Sequence, residues 1–156
     1  MEAPLEPLVT MSDNYQARER IATVVRRTPL TSVESIDRVC GATVRLKEEY
    51  RQRTGSFKIR GAYNHISRLA PGTLVVAASA GNHAQGVALA AQIAGLEAVV
   101  FMPSNASLPK VQATRDYGAE VRFEVGALDD AVVAAKRWAA EHGAVFVPPF
   151  DDPHII

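Results

Sequence analysis

The chain has 156 residues, in which 17 Lys+Arg balance 17 Asp+Glu for a formal net charge of zero. That balance gives no reason to expect nucleic acid or an anionic membrane as a partner. A single cysteine, Cys40, excludes an internal disulfide and suits a reducing cytoplasm, and 47% hydrophobic with 22% charged residues is the composition of one ordinary globular domain.

The first residues, through Asp13, carry Glu2 and Glu6 with no basic run before an apolar core, so they do not read as a signal peptide. Two prolines mark a loose leader. Asn14 to Arg27 is amphipathic, with Ala17, Ile21, Val24 and Val25 as its apolar stripe, and Pro29 closes it. Cys40, between Val39 and Gly41, reads as a small packing residue. Thr43 to Lys47 alternates polar and apolar, the pattern of a half-exposed strand. A helix from Phe57 to about Leu69 carries Ile59, Ala62, Tyr63, Ile66 and Leu69 on its apolar face.

From residue 74 onward short apolar runs alternate with helical segments. Leu74–Ala78 precedes a helix over Ala84–Ala94, and Ala98–Met102 precedes one over about Leu108–Tyr117. Glu120–Val125 alternates more strongly, as an edge strand does, and leads into a helix over Leu128–His142. Ala144–Val147 makes a fourth run before Pro148-Pro149. Apolar runs spaced by helices predict an α/β fold: a four-stranded parallel sheet with helices on both faces. The most apolar stretch, Gly86 to Pro103, is broken by Gln92 and Glu97 and is not expected to span a membrane.

Two segments depart from what folding alone requires. The first is Thr54-Gly55-Ser56-Phe57-Lys58-Ile59-Arg60-Gly61-Ala62. Ser56 is a suitable N-cap, which puts Lys58 in the first turn of its helix, where a cation opposes the macrodipole at a cost of about 0.3–1 kcal/mol. A neutral amine there is the nucleophilic form that adds to an aldehyde. Lys58 shares a face with Gly61, Ala62 and His65, and Gly61 leaves room for something flat to approach. The plain alternative is a solvated lysine on a surface helix. The second segment is Ser79-Ala80-Gly81-Asn82-His83-Ala84-Gln85-Gly86, between a strand and its helix. Ligands of parallel sheets gather at the carboxyl ends of strands, and a glycine turn into a helix offers free N–H groups to an anion. Ser79, Asn82, His83 and Gln85 add side-chain donors, although Ser79 and Asn82 would also serve as loop and cap residues.

Other nucleotide and metal motifs do not match. Gly81 and Gly86 do not make G-x-G-x-x-G, no acidic residue ends the second strand, and there is no G-K-[ST]. The four histidines, at 65, 83, 142 and 154, lack the spacing of a zinc site.

Taken in order, the segments resemble the threonine/serine dehydratase branch of fold-type II pyridoxal-phosphate (PLP) enzymes. They are R-T-P-L from Arg27, the run Leu46 to Asn64 containing S-F-K-I-R-G-A, A-A-S-A-G-N-H-A-Q-G-V-A from Ala77, Met102-Pro103, A-T-R-D-Y-G-A-E-V from Ala113, and P-F-D-D-P from Pro149. The resemblance implies that Lys58 carries the cofactor, that Phe57 lies against its ring and that Asn82 bonds its 3′ oxygen. It implies that Ser79, Ala80, Gly81, Asn82 and His83 receive the substrate carboxylate. The reaction implied is β-elimination. The Cα proton and the β-hydroxyl of L-threonine, or L-serine, leave as water, and hydrolysis then gives a 2-oxo acid and ammonia. From threonine the product is 2-oxobutanoate, which leads into isoleucine synthesis. Serine racemase and hydroxyaspartate dehydratase are similar over this part, and an inactive remnant or partner-dependent subunit is the non-enzymatic alternative.

The resemblance also implies a domain plan. Residues 1–55 would belong to the larger PLP domain, 56–150 would form a smaller mobile domain, and 151–156 would start the return. Tyr50-Arg51 departs from the family's usual Asn or Asp followed by Leu. The family's glycine-rich phosphate loop and the residue facing the pyridine nitrogen are expected beyond Ile156, so the chain is expected to be an incomplete N-terminal part. On its own it would be inactive, with Ile21, Val24 and Val25 exposed. The full-length protein would be a cytoplasmic homo-oligomer acting on a small amino acid.

Overall fold

A computed structural model describes residues 8–156, so most of the leader, residues 1–7, lies outside the described residues. Helix α1 spans Met11–Ile21, earlier at both ends than the amphipathic pattern places it. Thr10 and Asp13 form a capping box there: the Thr10 hydroxyl accepts the Asp13 N–H, and the Asp13 carboxylate accepts the Thr10 N–H. Val24 and Val25 therefore follow the helix in a turn.

Strand β1 (Leu30–Ser32) pairs antiparallel with β2 (Arg45–Lys47), and α2 (Glu34–Cys40) connects them. Neither β1 nor α2 has a periodic apolar face long enough to be legible in sequence. All three residues of β2 are exposed, rather than half of them. Cys40 is also exposed, at the end of α2, so it is not a packing residue.

The remaining chain builds the parallel layer. It runs α3 (Lys58–Ile66), β3 (Val75–Ala78), α4 (Asn82–Ala94), β4 (Ala98–Pro103), α5 (Leu108–Asp116), β5 (Glu120–Glu124), α6 (Leu128–His142) and β6 (Val145–Phe146). The sheet order is β5-β4-β3-β6, all parallel, with β5 at an edge. Alternation along the central strands sends side chains to both faces. Val75 and Ala77 of β3, with Ala98, Val100 and Met102 of β4, pack among residues of α3, α4 and α5. Val76, Ala78, Val99 and Phe101 pack against Ala131, Ala134, Ala135 and Ala139 of α6. Burial on both faces is why these strands are continuously apolar.

Val24 is only 6% exposed and joins the first of these cores, with Val25 packed against it and Ile21 half-buried. The expectation that this stripe lies open is corrected at Val24, which is buried in the core, whereas Ile21 and Val25 stay partly exposed. Arg20 donates to the Asn64 side-chain oxygen Oδ1 at 2.6 Å, and the Asn64 Nδ2 donates to the His154 main-chain carbonyl at 2.8 Å, tying α1, α3 and the C-terminal segment together. No helix among the described residues is long and apolar enough to cross a membrane.

Candidate active site

The chain leaves β3 for β4 on one side and returns to β6 on the other. The gap between β3 and β6 at their carboxyl ends is therefore a topological switch point, the place where ligands of open α/β sheets bind. Both sequence segments converge there. Ser79–Gly81 leads from β3 into α4, and Val147-Pro148-Pro149 leaves β6.

Lys58 is the first residue of α3, as expected. Phe57 before it already has helical backbone angles, and the Ser56 hydroxyl, one residue further back, accepts the Lys58 N–H at 3.2 Å. The Lys58 ammonium donates to the Pro149 carbonyl at 2.6 Å and lies 5.2 Å from the centre of the Phe57 ring. That ring is 56% exposed, so an apolar face stands open beside the amine. Phe57, Lys58, Gly61, His83, Pro149, Phe150 and Ile155 line one cleft of about 250 Å³.

Gly86 explains how α4 reaches this place. A Cβ there would stand 3.1 Å from the Lys58 carbonyl carbon and 3.3 Å from the Ile59 nitrogen, so glycine lets α4 rest directly on the first turn of α3. Asn82 is one turn before Gly86 on the same face of α4. It is the first residue of that helix, with Gly81 at the cap position, rather than a loop residue before a helix starting at Ala84. Its side chain is exposed. Gly61 has a different reason. A Cβ at Gly61 would clash with the Ile155 carbonyl oxygen, so the room read there is filled by the chain's own C-terminal segment. Lys58, Gly61 and His65 form one stripe covered by residues 149–155, with His65 Nδ1 3.3 Å from an Asp152 carboxylate oxygen.

His83 is 4% exposed, and its Nε2 lies 3.0 Å from the Val147 carbonyl. Burial pushes its pKa down to about 4, helped by the nearby positive charge of Lys58 and by His65 and opposed by the Val147 bond. The imidazole is therefore neutral at pH 7. A bond to a carbonyl requires the proton on Nε2, so the ring spends its donor on Val147, just after β6. His83 can serve an anion only through its main-chain N–H. Ser79 is buried and its Oγ accepts the Gly81 N–H at 3.1 Å, which leaves its hydroxyl proton available. The first N–H groups of α4 have no partner within the helix.

An amine at the rim of a cleft, an open aromatic face beside it and a helix N-terminus across from it suit a flat aromatic aldehyde and a carboxylate. The residues present fit the ring half of PLP. The Pro149 carbonyl, which completes the cleft, was not assigned by sequence reasoning. Its signal was the Pro148-Pro149 break directly after an apolar strand.

Comparison with known proteins agrees. The family described as pyridoxal-phosphate dependent enzyme matches residues 21–156. An L-threonine ammonia-lyase of Thermotoga maritima is 49% identical over 152 residues, 96% of this chain and 38% of that protein. An L-threo-3-hydroxyaspartate ammonia-lyase of a Pseudomonas species is 41% identical, covering 96% of this chain and 48% of that protein. The solved structure of maize serine racemase superimposes with a TM-score of 0.89 at 36% identity, covering 96% of this chain and 46% of that one. The chain thus spans less than half the length of these relatives. By the span of the family match and by the fold, it belongs to the pyridoxal-phosphate dependent enzymes.

Proposed function

We propose that this chain supplies the lysine half of the active site of a PLP-dependent ammonia-lyase that converts L-threonine, with L-serine as a second substrate, to a 2-oxo acid and ammonia. The observation that carries the reading is the Lys58 amine, held at the mouth of the switch-point cleft beside the open Phe57 ring. When bound, PLP supplies an electron sink for the substrate's Cα–H bond. Lys58 Nζ would hold the cofactor, and its amine is the group placed to take the substrate's Cα proton. Phe57 would offer its face to the cofactor ring, and Asn82, one turn from the Gly86–Lys58 contact, would bond its 3′ oxygen. Ser79, Ala80, Gly81, Asn82 and His83 receive the substrate carboxylate through the Ser79 hydroxyl and main-chain N–H groups. Loss of the β-hydroxyl completes the elimination, and water then releases ammonia.

In this reading residues 1–55 and 151–156 belong to a larger PLP domain, and 56–150 to the smaller one. The protein acts as a cytoplasmic homo-oligomer with no nucleic acid or membrane partner. The likeness to serine racemase favours a second reading on the same site, in which Cα is reprotonated from the opposite face instead of losing the β-hydroxyl. The test is to incubate the full-length protein with L-threonine and L-serine and measure 2-oxo acid, ammonia and D-serine. Release of 2-oxobutanoate supports the lyase. D-serine without 2-oxo acid supports the racemase, and neither product refutes both.

A further inference from the structure

The Ser79–His83 loop offers a substrate carboxylate only neutral groups, because His83 is buried and neutral and its ring donor is spent on Val147. Lys58 is committed elsewhere, to the Pro149 carbonyl and, in the proposed function, to the cofactor. One further cation reaches the loop. A Cβ built on Gly81 would meet a single neighbour within 4 Å, the Lys110 ammonium, at 3.5 Å. Lys110 belongs to the first turn of α5, which packs on α4, and its carbonyl is anchored by the fully buried Thr114 hydroxyl at 2.9 Å. Among the described residues the Lys110 ammonium pairs with no carboxylate. An ammonium at the first turn of a helix meets an unfavourable dipole, so its place over Gly81 is not a gain to its own helix.

We infer that Lys110 is a specificity-determining residue: its ammonium lies over Gly81 to hold the α-carboxylate of the amino-acid substrate. The inference rests on the proposed function, and it explains selection for amino acids over amines. The loop's N–H groups donate to an anion, and a cation beside them strengthens the preference for the ligand that carries the negative charge. Lys110 is exposed and free to move with its flexible stem, so it can follow the carboxylate as the cleft fills.

The test uses the full-length holoenzyme with Lys110→Met and Lys110→Arg. The substrate is L-threonine. The binding probes are L-2-aminobutanoate, which keeps the carboxylate but has no leaving hydroxyl, and 1-aminopropan-2-ol, which lacks the carboxylate. Lys110→Met should raise KM for threonine and weaken aminobutanoate binding roughly tenfold, the scale of one partly solvated charge at short range. Its kcat should stay within about threefold, and affinity for the amino alcohol should be unchanged or improved. Lys110→Arg should recover most of the loss. An active wild type whose Lys110→Met variant binds both probes as before overturns the role of Lys110 alone. Equal weakening of both probes also overturns it, because that is a general disturbance of the site. A wild type that binds neither probe overturns the inference together with the proposed function.

Discussion

The Lys58 ammonium donates a 2.6 Å hydrogen bond to the carbonyl of Pro149, a residue 91 positions further along the chain. The bond joins the start of α3 to the exit of β6, the two ends of the parallel layer. The same exit holds His83 through the Val147 carbonyl, and the same C-terminal segment covers Gly61 and His65. The cleft is therefore closed by pieces of backbone as much as by the side chains that carry its chemistry.

Replacing Lys58 by alanine removes the amine and leaves a small helix-compatible residue in the first turn. In the full-length protein we expect Lys58→Ala to abolish turnover and the Schiff-base absorbance while circular dichroism stays the same. A variant that still released ammonia at the normal rate would show that another group carries the chemistry.

Asn82 is exposed in the first turn of α4 and its side chain caps nothing, so its loss should cost little stability. A hydrogen bond to a charged oxygen contributes roughly 1.5–3 kcal/mol, which is about ten- to a hundredfold in kcat/KM. We expect Asn82→Ala to slow turnover by that factor and to shift the cofactor spectrum with the melting temperature nearly constant. Unchanged kinetics and spectrum would remove Asn82 from the site.

Gly61 lies inside a helix, where alanine ordinarily stabilises by about 0.5–1 kcal/mol. Here the added methyl would clash with the Ile155 carbonyl, and a backbone oxygen cannot rotate away. We expect Gly61→Ala to destabilise by about 1–3 kcal/mol instead, through overpacking, and to expose residues 149–156 to protease. A rise in melting temperature would contradict the packing described.

His83 gives the fold a pH dependence whose sign is fixed by its burial. Its pKa falls from 6.5 to about 4 on folding, so between those values the unfolded chain binds the extra proton. The His83 contribution is complete above pH 6.5 and is lost as pH falls towards 4, by at most about 3 kcal/mol. Urea midpoints measured at pH 7 and pH 4.5 should differ less in His83→Gln than in the wild type. Parallel losses in the two proteins would assign the acid sensitivity to other groups.

The layer was legible in sequence because β3 and β4 are buried on both faces and read as unbroken apolar runs, with α4 and α6 between them. Lys58 and the loop into α4 were legible because they break helix and loop rules without a folding reason. The N-terminal elements were less so. The Thr10–Asp13 capping box outweighs the apolar stripe in setting where α1 starts, and β1 with α2 is too short to show a period. The Pro149 carbonyl and the filling of the space at Gly61 are main-chain contacts, which side-chain patterns do not encode. Lys110 reaches Gly81 only through the packing of α5 on α4, and no spacing in sequence announces it.

The most direct measurement of the central claim is to reduce the PLP-loaded full-length protein with borohydride, digest it and locate the label by mass spectrometry. The pyridoxyl group should sit on the peptide containing Ser56-Phe57-Lys58, on Lys58 itself and in a ratio near one per chain. Label on Lys47 or Lys110, or spread over several lysines with Lys58 unmodified, would contradict the account.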